Sequence, residues 1–180
     1  MLELEGDMPQ VYLCPGELYL ARQPAIIRTI LGSCVGVTFW SARLGIGALC
    51  HSLLPRCPEV SESESSPANR HRYVDFCIRD LARQFDELGA RRAELQVKLF
   101  GGADVLPVNK TVSSKPTVGK LNCDAAVEIA RSEGLEVIAS RLGGTAGLNI
   151  KFNTRSGEVF LRRLPRVLFE AIADQGSIND

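Results

Sequence analysis

The sequence has no apolar run approaching the roughly eighteen residues of a membrane span. Its opening stretch, MLELEGDMPQ, is acidic and lacks the apolar core of a secretory signal. The expectation is therefore a cytoplasmic chain without membrane insertion. Net charge is also lacking, since 21 Lys and Arg balance 21 Asp and Glu. No global field recruits nucleic acid or anionic lipid. In a reducing compartment the even count of six cysteines does not imply a disulfide framework. Four of them sit in apolar surroundings and read as small buried hydrophobes. A metal set built from Cys50, His51, Cys57 and His71 lacks the C-x-x-C pair of most structural zinc sites, and neither a metal nor another cofactor is expected. Lys110 to Lys120 lacks the G-x-x-x-x-G-K-[ST] pattern of a phosphate-binding loop. No internal repeat is evident.

What is present is an ordinary globular composition, 45% hydrophobic and 23% charged, in a chain long enough to bury a real core. Residues 1–180 are expected to form one domain. Val11 to Leu20 reads as one or two short strands broken at Pro15-Gly16, and Ala25 to Leu31 as another. Residues 35–40 and 45–51 alternate as half-buried strands do. Residues 56–72, with SESESSPAN at their centre, read as a long mobile loop. Val74, Cys77, Ile78, Leu81, Phe85 and Leu88 follow helical spacing up to Gly89. Strands follow at Leu95 to Phe100, Leu135 to Ser140, Leu148 to Phe152 and Val159 to Leu161. A helix over about 121–132 and a short amphipathic one over about 165–173 complete the pattern. Mixed strands, hairpins and helices predict an α/β (α+β) sandwich with helices packed on mixed or antiparallel sheets.

The stretch RTILGSCVGVTFWSARLGIGALCHSLLP, residues 28–55, places one cysteine and one of only two histidines in apolar surroundings. A hairpin turning symmetrically about Ala42-Arg43 pairs residues whose numbers sum to 85. Val35 then faces Cys50, Val37 faces Ala48 and Phe39 faces Ile46 on an apolar face. Cys34 faces His51 on the other. Directly opposed residues have Cβ atoms about 4.5–5.5 Å apart, which predicts a thiolate–imidazolium pair. A nearby imidazolium lowers a cysteine pKa from about 8.5 to roughly 3.5–7.5, giving a standing nucleophile and a proton donor for the leaving group. Gly32 and Ser33 leave room beside the sulfur, and their N–H groups are candidates for an oxyanion hole. Ser33 is the weaker alternative nucleophile, and Gly101-Gly102 and Gly143-Gly144 read as tight turns. His71, in the polar loop, reads as solvated.

Over about residues 10–163 the chain resembles the CheD chemoreceptor glutamine deamidases of bacterial chemotaxis. The resemblance is carried by LGSCVGV, IGALCHSLLP, RYVDFCIRDLARQFDELGARRAELQVKLFGGADV, VGKLN and RLGGTAGLNIKFNTRSGEV. It implies hydrolysis of receptor glutamine side chains to glutamate, with Cys34 as nucleophile and His51 as base and acid. Thr29 is the counterpart of a threonine the family also uses. It further implies a sandwich related to glutamine-deamidating toxins. The implied partners are methyl-accepting chemotaxis receptors and a CheC-type phosphatase that links the deamidase to the phosphorylated response regulator. The family commonly has arginine where Leu121 and Leu148 stand, and often an acidic residue near Arg141. Both leucines are expected in loops away from the hairpin, where arginine would either restore receptor docking or, if the leucines are a packed pair that replaced a structural arginine contact, lower thermal stability with no gain in activity. These departures keep open a second reading, a catalytically weak binding module acting on receptors or CheC.

Overall fold

Alternation in residues 35–52 builds the central hairpin. In the computed structural model, which describes residues 8–58, 66–105 and 115–164, β4 (Val35–Ser41) pairs antiparallel with β5 (Ile46–Ser52). β2 (Leu18–Ala21), β6 (Gln96–Gly101) and β7 (Val137–Leu142) extend the hairpin into a five-stranded sheet. Its order is β2-β5-β4-β6-β7, with β6 and β7 parallel. The second sheet has the order β1-β3-β8-β9 and comprises β1 (Gln10–Tyr12), β3 (Ile26–Leu31), β8 (Gly147–Asn153) and β9 (Val159–Leu164). Both sheets are mixed, as the sequence predicts.

Three layers result. Val35, Val37, Phe39, Ala48 and Cys50 point from the five-stranded sheet toward α2 (Val74–Glu87) and α3 (Val118–Ser132). There they meet Cys77, Ile78, Leu81 and Phe85 of α2 and Ala126 and Ile129 of α3. Phe39 and Phe85 stack with ring centroids 5.7 Å apart, and burying a side chain of this size contributes about 1.5–3 kcal/mol. The opposite face of the sheet packs on the four-stranded sheet through Leu49 with Leu13, Ile27 and Phe152. A second contact joins Phe100 to Leu31, Leu148 and Ile150. The sheets approach closely at this seam. A Cβ on Gly36 would lie 2.9 Å from Leu31 Cδ1.

The hairpin register differs from the expected one by two residues. Four residues, 42–45, connect the strands; Gly45 adopts φ +64° and its N–H donates to the Ser41 carbonyl at 2.9 Å. The longer connection sets Gly36 opposite His51, Val37 opposite Cys50 and Val35 opposite Ser52. Because side chains alternate with period two, an even slip preserves the faces and exchanges only the partners. Cys34 therefore lies diagonal to His51 rather than opposite it.

Helix α3 begins at Val118, earlier than expected, because Thr117 Oγ1 accepts from the Lys120 N–H at 3.2 Å. Residues 59–65 and the expected helix at 165–173 lie outside the described residues. The described end of the expected loop is ordered by contacts. α1 (Pro67–Arg70) precedes an isolated bridge of Tyr73 to Leu54. His71 is not solvated: its Nε2 lies 3.0 Å from Asp80 Oδ2, and its carbonyl accepts from Ser52 Oγ and Cys77 Sγ. Three cysteines, Cys50, Cys77 and Cys123, are buried; Cys34 and Cys57 are half-buried, and Cys14 is exposed.

Candidate active site

The nucleophile candidate sits where β3 hands over to β4. Gly32, Ser33 and Cys34 cross from one sheet to the other, and each of their carbonyls accepts a hydrogen bond. Ala103 N–H donates to Gly32 O at 2.8 Å, Asn122 Nδ2 to Ser33 O at 2.9 Å, and Gly102 N–H to Cys34 O at 2.7 Å. Gly101 and Gly102 adopt φ of +97° and +68°, which glycine does without steric cost. A Cβ on Gly101 would stand 2.2 Å from the Cys34 carbonyl oxygen. The first glycine pair thus forms the backing of the nucleophile loop.

His51 is 2% exposed and lies on the seam face of β5. Its main chain is held on both sides by the β1–β2 connection: its carbonyl accepts from Gly16 N–H at 2.7 Å, and its N–H donates to Glu17 O at 2.9 Å. Its ring is held by the other sheet. Thr29 Oγ1 lies 2.8 Å from His51 Nδ1 and also 2.8 Å from the Leu13 carbonyl. A carbonyl only accepts, so the single hydroxyl proton of Thr29 goes to Leu13. His51 Nδ1 must then carry the hydrogen and donate to Thr29. This fixes the tautomer: in the neutral ring Nε2 holds a lone pair, and Nε2 is buried without a hydrogen-bond partner among the described residues.

Cys34 shares the seam face with His51 and packs against Leu31, Phe100, Leu148 and Ile150. Only the side-chain-free Gly36 stands across the ladder from His51. Burial pushes the Cys34 thiol up to about 11, with its own N–H opposing the rise. Burial likewise pushes His51 down to about 4, against the Leu13 carbonyl. At neutral pH the pair rests as thiol and neutral imidazole. The expected thiolate–imidazolium pair is thereby corrected: burial by the second sheet disfavours both charges.

Thr29→Val preserves shape but leaves the Leu13 carbonyl and the His51 Nδ1–H without partners. Turnover is expected to fall by up to about 10²-fold, the cost of a misplaced catalytic group. Thr29→Ser, which keeps the hydroxyl, should restore most of it. Steady-state rates of the two variants check this, and equal loss in both would show that the hydroxyl does not orient the ring.

Leu148 is not in a peripheral loop. It lies in β8, 5% exposed, paired with Leu31 in the cluster that touches Cys34. Leu121 is 39% exposed on α3, so the two leucines belong to different environments. Leu148→Arg would bury a cation among apolar groups at a cost of several kcal/mol. A large fall in thermal unfolding midpoint is expected, with no gain in activity, as thermal melts and turnover of the variant would show. Arg141 is exposed on β7.

Neighbours on a strand point to opposite faces. Cys50 therefore enters the helix-side core while His51 enters the seam, and the set Cys50, His51, Cys57 and His71 does not converge. Among the described residues no three His, Cys, Asp or Glu side chains gather to hold a metal ion. No helix among them is long and apolar enough to cross a membrane. Sequence reasoning missed Asn122 as part of this site. The available signal was a polar residue at a core position, since Asn122 shares helical spacing with the buried Ala125, Ala126 and Ile129.

The sequence profile of the family described as CheD chemotactic sensory transduction matches residues 53–163, beginning just beyond His51. The chain is 42% identical to "Probable chemoreceptor glutamine deamidase CheD 2" of Geobacter sulfurreducens over 88% of this chain and 92% of that protein. It is 36% identical to "Probable chemoreceptor glutamine deamidase CheD" of Maridesulfovibrio salexigens over 94% of this chain and all of that protein. Among solved structures, Bacillus licheniformis hypothetical protein YfiH superposes with a TM-score of 0.46 at 10% identity, over 69% of this chain and 50% of that one. A profile spanning most of the chain and relatives aligned over nearly all of it place this chain in the CheD family.

Proposed function

We propose that this protein hydrolyses the side-chain carboxamide of glutamine residues in chemoreceptors, giving glutamate and ammonia. Cys34 is the nucleophile, His51 the general base and acid, and Thr29 the residue that orients His51. The observation that carries this reading is the fixed tautomer of His51, whose unpartnered Nε2 occupies the same seam as the Cys34 thiol. The names of its relatives support glutamine as the substrate.

The chemistry follows from the neutral resting pair. Cys34 Sγ attacks the carboxamide carbon while its proton passes to His51 Nε2. Negative charge develops on the former carbonyl oxygen beside the loop N–H groups. The N–H groups of Gly32, Ser33 and Cys34 are the candidates for this role. The resulting imidazolium, its Nδ1–H still on Thr29, gives its proton to the departing nitrogen, which leaves as ammonia. A water then attacks the thioester, with Nε2 as base, and glutamate is released with the thiol restored. No step requires a metal or cofactor. The receptors are the proposed substrate, a CheC-type phosphatase the proposed regulatory partner, and the cytoplasm the proposed location.

The test is incubation of the protein with a receptor cytoplasmic fragment, followed by peptide mass mapping. Each converted glutamine gains about one mass unit as NH₂ becomes OH by way of the thioester. Absence of any conversion, with the fragment still bound, would favour the binding-module reading instead.

A further inference from the structure

The β4–β5 ladder ends at Val35–Ser52. Beyond it the chains part, one toward Cys34 and β3, the other toward the β5–α2 connection. The carbonyls of Ser33 and Leu53 would be left without strand partners there. Asn122, on α3 and fully buried, spans the gap: its Nδ2 lies 2.9 Å from Ser33 O and 2.9 Å from Leu53 O. Both acceptors are carbonyls, so the amide nitrogen must face them, and both of its hydrogens are committed. Its Oδ1 then faces away, buried and without a partner among the described residues. Tolerance of that orphan acceptor indicates that the side chain is retained for what its nitrogen does.

The two carbonyls flank the reacting pair. Ser33 immediately precedes Cys34, and Leu53 stands two residues after His51. The helix bearing Asn122 is itself tightly seated, since a Cβ on Gly119 would come within 2.6 Å of the Gly102 carbonyl oxygen. Gly102 in turn holds the Cys34 carbonyl. The helix end therefore grips the nucleophile loop at the Ser33 carbonyl and the chain beyond β5 at the Leu53 carbonyl, while Gly102, packed against Gly119, holds the Cys34 carbonyl.

We propose that Asn122 is a positioning residue that fixes the separation of Cys34 from His51, an inference that rests on reading those two as nucleophile and base. It touches neither the substrate nor the reacting atoms. Removing it frees the Ser33 and Leu53 carbonyls and takes away the brace between the two chains where the ladder has ended.

The experiment compares Asn122→Ala and the isosteric Asn122→Asp, which replaces both donors by acceptors, with Ile129→Val, an ordinary core cavity on the same helix. In both Asn122 variants kcat on a receptor fragment should fall by about 10–10²-fold, the effect of roughly ångström misplacement, with KM nearly unchanged. Ile129→Val should lower the unfolding midpoint while keeping kcat. The rate of Cys34 alkylation by iodoacetamide as a function of pH provides a readout independent of deamidation. An altered profile in the Asn122 variants supports the positioning role even if no receptor glutamine is converted by the wild type. A profile and a kcat matching wild type would overturn it, as would a kcat loss equal to that of a control with the same fall in midpoint. In the wild-type protein, both carboxamide protons of Asn122 should exchange slowly with solvent. Rapid exchange of either would also overturn the bridge, whether or not the variants fold.

Discussion

Cys34→Ala is expected to abolish deamidation while leaving the fold intact. The thiol is half-buried against Leu31, Phe100, Leu148 and Ile150, and a methyl group is accepted there without burying a new polar atom. The loop is held through the carbonyls of residues 32–34 rather than through the sulfur, so its path should not change. Loss of the nucleophile removes the covalent route entirely, and the base alone does not rescue it. Mass mapping of receptor peptides should show conversion with the wild-type protein and none with the variant, at matched circular dichroism. Turnover by the alanine variant at the wild-type rate would remove Cys34 from the mechanism and bring Ser33 forward as its replacement.

Replacement of His51 should cost about 10²–10⁴-fold in rate, the usual contribution of a general acid–base group. His51→Ala also opens a cavity beside Thr29, so His51→Asn is the cleaner variant. Its amide donates to Thr29 as Nδ1 does, while nothing occupies the place of Nε2. The pH dependence carries the sign of a depressed pKa. His51 takes up a proton only below about pH 4 when folded, but already below about 6.5 when unfolded. Between those values the unfolded chain binds more protons, so its stability contribution is complete above about pH 6.5 and is lost as pH falls toward 4. The thermal midpoint of the wild type should therefore drop across that window. The drop should be shallower in His51→Asn. Identical slopes would show that His51 is not buried as a neutral ring. Activity, in contrast, should persist to near pH 5 and fail only as Nε2 becomes protonated.

Much of the fold was legible because the periodicities were clean. The 14 residues of α2 carry their buried face at helical spacing, and Val35, Val37 and Phe39 with Ala48 and Cys50 mark the helix-side face of the hairpin, although both faces of β4 and β5 are buried rather than one. The hairpin register was not legible, because two-residue and four-residue connections leave the same faces buried and differ only in partners. Alternation specifies the face strongly and the pairing weakly. Cys34 and His51 could be brought to one face from the sequence, yet their charge state could not. It depends on β3 and β8 closing over them, and no local pattern announces which strands of the second sheet do so. Leu148 was misplaced for the same reason. Asn122 was visible as a polar residue on a core face, but its two acceptors are backbone carbonyls, which carry no signature in the sequence.

The hydrogen bond between Thr29 and His51 crosses the boundary between the two sheets, one residue belonging to each. Chemistry at this site is thus a property of the docked sandwich and of neither sheet alone. A folding chain with every strand paired but the layers still sliding would leave the imidazole free to turn and to exchange its tautomers. Catalytic competence therefore arrives last in assembly, with the locking of tertiary packing, and a preparation can keep its full secondary structure while being inert.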